Sequence, residues 1–235
     1  MKNIIVTGGS RGIGAKIVEK FAKEGNRVIL NYHKSQIEAE KIKQMFPDNI
    51  ILYKADVSKF DEVKSMCDFC VENYGSVDIL VNNAGIAQIK PFADITEEDW
   101  DYMMNINLKG VYNCTKCVID NMIHNKKGKI INISSIWGEV GGSCEVHYSA
   151  AKAGIIGFTK ALAKEMGLSN IQINCVSPGI IDTEMNSMHD LDELKNDVPL
   201  NRIGTPEDVA NVVYFLTSDA AEYITGQVIS VNGGM

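Results

Sequence analysis

Short apolar runs alternate with longer amphipathic stretches along most of the chain. Lys2–Val6, Arg27–Tyr32, Ile50–Lys54, Ile79–Val81, Lys129–Ile133 and Ile171–Ser177 have the length and β-branched content of strands in a parallel sheet covered on both faces. Between them apolar positions return at i, i+3, i+4 and i+7, the spacing of core-facing helices. The pattern predicts a first helix ending near Gly25, then helices over Ser35–Phe46 and Asp61–Tyr74. A long helical region follows from Thr96, another from about Tyr148, and a last helix from Thr205. Thr96-Glu-Glu-Asp99 and Thr205-Pro206-Glu207-Asp208 read as capped helix starts, with acids at the positive dipole end and Pro206 at the first helical position. This alternation predicts an α/β fold around a parallel sheet, with no internal repeat, linker or second domain.

Composition adds exclusions. The 235 residues suffice for one domain with a large core, and apolar and charged fractions of 45% and 23% are those of an ordinary globular chain. A formal net charge of −7 argues against nucleic acid or an anionic membrane as a general partner. Met1–Ile5 runs straight into a strand, leaving no room for a signal peptide, and no apolar run reaches bilayer length; a cytoplasmic location is expected. Cys67/Cys70 and Cys114/Cys117 have the C-x-x-C spacing of metal ligands. Both pairs fall on apolar helical stripes, one with Val63, Met66 and Tyr74, the other with Met103, Ile106, Gly110 and Val111. They read as buried thiols, and no metal is expected.

Three stretches carry candidate chemistry. Thr7-Gly-Gly-Ser-Arg-Gly-Ile-Gly14 turns the first strand into the first helix. Gly8, Gly12 and Gly14 permit a tight turn and a close approach of backbone to a phosphate, with the helix N-terminus supplying N–H groups. At the end of the second strand a carboxylate would bind a ribose 2′-hydroxyl, but Asn31, Tyr32, His33 and Lys34 include no acid. His33, Lys34 and Arg11 instead offer cations suited to a 2′-phosphate. The third stretch leaves the strand Lys129–Ile133 at Ser134-Ser135, crosses a Gly-rich loop and resumes as a helix on which Tyr148 and Lys152 share a face. A phenol beside a fixed cation can act as acid and base, because the cation favours the phenolate over its ordinary pKa of about 10.

These motifs, with Asn82-Asn83-Ala84-Gly85 after the fourth strand, stand in the order of the short-chain dehydrogenase/reductase family, which the chain resembles over essentially its whole length. The resemblance implies a single Rossmann-type domain over residues 1–235, doubly wound around a seven-stranded parallel sheet, with a substrate lid near 184–198. It implies catalytic roles for Asn107, Ser135, Tyr148 and Lys152. Ser135 would hold a carbonyl oxygen, Tyr148 would give the proton, and Lys152 would lower the Tyr148 pKa and hold the nicotinamide ribose. Asn107 would keep a proton-relay water, a partner that a buried Asn on a helix needs. Cofactor contacts are implied for Gly8, Ser10, Arg11, Gly12, Ile13, Gly14, Asn31, His33, Lys34, Asp56, Val57, Asn83, Ala84, Gly85, Pro178, Gly179, Ile181 and Thr183, besides Tyr148 and Lys152. NADP(H) is the expected cofactor, NADPH-dependent reduction of a ketone the expected reaction, and a homotetramer the expected assembly.

Among family branches, N-R-I-G-T-P-E-D-V-A, Y-I-T-G and the final V-N-G-G-M are most similar to 3-oxoacyl-(acyl-carrier-protein) reductases of fatty acid synthesis. Lys126, Lys127 and Lys129 offer a basic patch for such an acidic carrier. S-S-I-W-G…S-C-E-V-x-Y resembles instead a branch that reduces a 5-aminopentanone group on elongation factor P. There Glu145, three residues before Tyr148, either faces a cationic substrate or caps its helix. Another small-molecule ketone or alcohol substrate, or a nucleotide-sensing module without catalysis, completes the alternatives; the intact Ser135, Tyr148, Lys152 and Asn107 disfavour the last.

Overall fold

The computed structural model describes residues 1–186 and 194–235. Seven strands form one all-parallel sheet: β1 Asn3–Val6, β2 Arg27–Tyr32, β3 Ile50–Lys54, β4 Ile79–Asn82, β5 Gly128–Ile133, β6 Ile171–Pro178 and β7 Val228–Val231. Their order is β3-β2-β1-β4-β5-β6-β7, so the winding reverses between β1 and β4. A crevice opens at such a reversal, outside the carboxyl ends of the strands. The glycine turn follows β1 and Asn82–Gly85 follows β4; the sequence has placed both motifs on that crevice.

Strand alternation sends neighbouring residues to opposite faces and so builds two cores. Ile4, Val6, Val28 and Leu30 pack with Ile17, Val18 and Phe21 of α1 (Gly12–Lys23), Ala39 and Ile42 of α2 (Gln36–Met45), and Val209 and Val213 of the closing helix Pro206–Leu216. Ile5, Ile29, Leu80, Ile130 and Ile173 pack with α3 (Phe60–Tyr74), α5 (Gly110–Asn125) and α7 (Val146–Met166). Cys67, Cys70 and Cys114 are buried in this second layer and Cys117 is half-buried, as their stripes require. Burial pushes the Cys70 thiol up to about 12. Each large aliphatic side chain buried this way contributes roughly 1.5–3 kcal/mol.

Both Thr caps are present: Thr96 accepts from Asp99 N at 3.1 Å and Thr205 from Asp208 N at 3.2 Å, each with the reciprocal bond of a capping box. The region from Thr96 is not one regular helix. It runs as α4 (Glu97–Met104), a π-helical turn over Asn105–Lys109, then α5. The Gly-rich loop after Ser135 holds a five-residue helix, α6 (Ile136–Val140), and α7 begins two residues before Tyr148. The segment expected as a lid, 184–198, lies partly outside the described residues; within it, short 3₁₀ turns occupy Glu184–Asn186 and Lys195–Asp197.

Candidate active site

The turn after β1 is shaped by what its glycines lack. Gly8 and Gly12 have φ of 61° and 50°, the left-handed region that side chains resist. A Cβ on Gly8 would lie 2.9 Å from Ala84 Cα, and one on Gly12 would lie 3.3 Å from Thr183 Cγ2. Thr7 Oγ1 accepts from the amides of Asn83 and Ala84 at 3.0 Å each, while Asn83 Nδ2 donates to the carbonyls of Thr7 and Gly8 at 3.0 and 3.1 Å. These bonds clasp β1 to β4 across the crevice. Arg11 occupies the N-cap position of α1 with no side-chain capping bond, so the first N–H groups of the helix face the crevice uncapped. The glycine cradle, the uncapped helix end and Thr183 opposite fit the pyrophosphate of a nicotinamide dinucleotide.

Several expected cofactor residues have side chains turned into the protein. Asn31 is buried, accepting from Gly8 N at 3.2 Å and donating to Ala55 O at 2.9 Å. Its side chain holds the glycine turn and has no group left for a ligand. Val57 packs under α5, where a Cβ on Gly110 would meet its Cγ2 at 2.9 Å, and Ile13 and Ile181 pack in the first core. Gly179 donates to Val231 O at 3.0 Å and backs onto Asn232.

Asp56 accepts from Ser58 N and Oγ at 2.9 and 2.8 Å. Burial alone would raise its carboxyl, but Ser58 and the nearby His33 outweigh that and hold it below the ordinary value. His33 and Lys34 are exposed just beyond β2. Arg11 is exposed too, with Nη1 2.6 Å from Glu184 Oε2.

On the other side of the crevice Asn107, Ser135, Tyr148 and Lys152 are all buried. Ser135, just past β5, caps α6 by accepting from Trp137 N at 3.2 Å, and its hydroxyl acts on the Tyr148 phenol, opposing the rise of its pKa. Lys152 Nζ donates to Ile133 O at 2.9 Å and stands 5.6 Å from the Tyr148 ring centroid. Asn107 Oδ1 accepts from Ile86 N and its Nδ2 donates to Ile86 O, both at 3.0 Å. Gly85 passes between the two: a Cβ there would lie 2.6 Å from Asn107 Oδ1 and 3.5 Å from Lys152 Nζ.

One electrostatic expectation is corrected. Burial pushes the Tyr148 phenol up to about 12, against the Ser135 hydroxyl and with the Glu145 carboxylate adding to the rise. Burial also pushes Lys152 down to about 8, opposed by Cys175. The net shift of Tyr148 is therefore upward, not the lowering expected from its neighbour Lys152. Both groups have left water, and each is driven toward its neutral form.

Sequence reasoning missed two features. Thr7 was readable as part of the glycine motif, although its role as a clasp was not. His147 Nε2 lies 2.8 Å from Gln88 Oε1, a pairing across 59 residues for which no local signal exists. The lysine patch also needs correction. Lys126 and Lys127 follow α5 at the amino-terminal end of β5, the end of the sheet opposite Ser135, and Lys129 Nζ donates to Ser218 O at 2.6 Å. Within one chain they do not flank the crevice. Among the described residues no group of three or more His, Cys, Asp or Glu is placed to hold a metal ion, and no helix is long and apolar enough to cross a membrane.

A family model described as "Enoyl-(Acyl carrier protein) reductase" matches residues 8–235. A 3-oxoacyl-[acyl-carrier-protein] reductase FabG of Chlamydia trachomatis is 45% identical, covering 100% of this chain and 97% of its own. The same-named protein of Staphylococcus epidermidis is 44% identical at 100% and 98% coverage. Among solved structures, "ElxO with NADP Bound" superposes with a TM-score of 0.93 at 33% identity, over 99% of this chain and 97% of that one. A short-chain dehydrogenase/reductase of Brucella melitensis gives the same TM-score and identity, over 99% and 96%. Fold and crevice together define a nicotinamide-dependent oxidoreductase acting on CH–OH groups. The chain belongs to the short-chain dehydrogenase/reductase family.

Proposed function

We propose that this chain reduces a ketone to a secondary alcohol with NADPH, the substrate being a 3-oxoacyl thioester on acyl carrier protein. The observation that carries the reading is the pair of hydroxyls, Ser135 and Tyr148, buried together at the crevice, with burial keeping the proton on Tyr148. The matched family's description concerns an enoyl group and the relatives' names a 3-oxoacyl group. Two hydroxyls able to donate to one oxygen favour the ketone.

In this reading Ser135 orients the carbonyl oxygen and Tyr148 gives it a proton. The nicotinamide, when bound, supplies the hydride to the carbonyl carbon. Lys152 favours the phenolate left on Tyr148 and contacts the ribose, while Asn107 fixes the loop at Ile86 and with it the path by which a proton returns. Gly8, Ser10, Gly12, Gly14, Asn83, Ala84, Gly85, Pro178, Gly179 and Thr183 border the dinucleotide. His33 and Lys34, with Arg11 when it leaves Glu184, recognise the 2′-phosphate.

The apolar groove of Met104, Leu108, Tyr112 and Phe158, on the outer side of α5 and α7, supports assembly with further copies.

A second reading rests on Glu145. It stands at the N-cap position of α7, makes no side-chain capping bond, and its charge reaches Tyr148. A carboxylate so placed suits an ammonium-bearing ketone, such as an aminopentanone group on a protein.

Turnover of a 3-oxoacyl thioester and of an amino ketone, each with NADPH and NADH, tests the proposal. NADPH is expected to be preferred by about tenfold or more, equivalent to about 1.4 kcal/mol. Lys34→Asp should erode that preference by repelling the 2′-phosphate. Equal use of both cofactors by the parent overturns the assignment of NADPH, and absence of turnover with every ketone overturns the reaction.

A further inference from the structure

The helix bearing Tyr148 starts without a side-chain cap. Its N-cap residue Glu145 offers no side-chain capping bond, and Cys144 before it takes φ of 60°, strained for a residue other than glycine. Tyr148 is only the third residue of this helix, so fraying of the first turn would carry the phenol with it.

Gly142 N donates to Ser149 Oγ at 3.0 Å, and the remaining support comes from the loop after β4. Lys90 N donates to Cys144 O at 2.7 Å, and Gln88 Oε1 meets His147 Nε2 at 2.8 Å. Gln88 Nε2 donates to Asp99 Oδ1 at 3.1 Å, and Lys90 Nζ to Asp99 Oδ2 at 2.6 Å. The chemistry fixes every polarity. A carboxylate only accepts, so Gln88 presents its NH₂ to Asp99 and its oxygen to His147. That oxygen also only accepts, so His147 carries its proton on Nε2. The same loop is bonded at Ile86 to Asn107, through both amide and carbonyl. Residues 86–90 thus form a strut between the π-turn of Asn107 and the first turn of the Tyr148 helix.

We infer that Gln88 and His147 are positioning residues for Tyr148, their hydrogen bond standing in for the missing helix cap and setting the placement of the phenol relative to Asn107. The inference rests on Tyr148 as the proton donor. It assigns neither residue a contact with substrate; they act through the helix. Misplacing a reacting group by about an ångström is enough to cost on the order of 100-fold in rate.

The test measures kcat and KM with a 3-oxoacyl thioester and NADPH. Gln88→Leu is expected to lower kcat by about 10–100-fold, with KM for thioester and NADPH altered by no more than about threefold. In a Tyr148→Phe background the same substitution should cost nothing further, because residues acting as one unit are not additive. The double variant Gln88→Glu/Asp99→Asn moves the carboxylate to the other end of the bond while matching donors to acceptors again. It should return kcat to within about threefold of the parent, as expected where only the pairing was lost. Should Gln88→Leu fail to fold, Gln88→Glu, which sets a carboxylate against Asp99, replaces it: it is expected to be slow and the double variant restored, and a Gln88→Glu as fast as the parent overturns the inference.

A Gln88→Leu kcat within about twofold of the parent overturns the inference, since the supposed positioning is then worth less than ordinary variation. So does a folded double variant that stays slow. Normal turnover by Tyr148→Phe overturns the assignment of Tyr148 itself, a failure distinguishable because it appears without any change at Gln88.

Discussion

On the dinucleotide side of the crevice, Thr7, Asn31 and Asn83 hold the glycine turn by neutral hydrogen bonds to backbone, and none of the three titrates in the range of protein stability. On the Tyr148 side the same sheet carries a buried phenol, a buried ammonium, a strained Cys144 and a π-helical turn. The first side is made of space and dipoles, which are stable as they stand. The second is made of groups that would be better solvated, held in place by packing around them. The difference follows from the tasks. A phosphate needs a cradle, while a proton transfer needs a group whose ionisation costs about the same as that of its partner.

The widest contrast should come from Tyr148→Phe. It removes one hydroxyl from the strained side and leaves the cradle untouched. Turnover is expected to fall by about 10²–10⁴, while NADPH binding, followed by fluorescence titration, stays near the parent value. Near-normal kcat would detach Tyr148 from the chemistry. Gly14→Ala attacks the other side. A Cβ at that position would collide with the Gly8 carbonyl and Asn83 Nδ2, and backbone cannot step aside as a side chain can. A loss of about 2–4 kcal/mol in stability is expected, together with dinucleotide affinity. Unchanged melting temperature and binding would mean the turn is not shaped by its glycines.

Lys152→Met sharpens the comparison, because it should kill turnover and yet stabilise the fold. Burial depresses the Lys152 pKa from 10.5 to about 8, so the folded protein resists a proton that the unfolded chain holds. Between those values the unfolded state binds more protons, and parent stability rises with pH. Below about pH 8 the full penalty applies. There the variant should be more stable by roughly 1–3 kcal/mol, each pKa unit being worth about 1.4 kcal/mol and the orphaned Ile133 carbonyl taking part of it back. The advantage should vanish by about pH 10.5. A variant less stable than its parent at pH 7 would show the ammonium to be satisfied in place.

The two sides also differed in how much of them could be read in advance. The glycine turn, Asn82–Gly85 and the strands were legible because each is a local pattern with a local cause. Tyr148 and Lys152 were legible as a pair for the same reason. That the Asn31 side chain holds the glycine turn and that of Val57 packs under α5 was not legible, because being near the end of a strand does not say which way a side chain faces. The π-turn over Asn105–Lys109 has the composition of any helix, and nothing local separates it from α4 and α5. The sign of the Tyr148 shift was missed for a different reason. Spacing reports that a cation is near, while only burial reports that it too has lost its water.

The smallest effect expected belongs to Glu145, where the strained side meets the substrate. Its carboxylate raises the Tyr148 pKa, its side chain makes no capping bond, and it is half-buried. Glu145→Gln should therefore ease ionisation of Tyr148 and move the alkaline limb of the kcat profile to lower pH. Its effect on substrates depends on their charge. A carboxylate and an ammonium across a partly screened cleft attract by about 1 kcal/mol, so kcat/KM for an amino ketone should fall by about fivefold. An uncharged acyl thioester has no such partner and should change by less than about twofold. Selective loss on the amino ketone would turn the proposed substrate toward a cationic, protein-borne ketone. Equal loss on both would leave Glu145 as an influence on Tyr148 alone and the 3-oxoacyl reading in front.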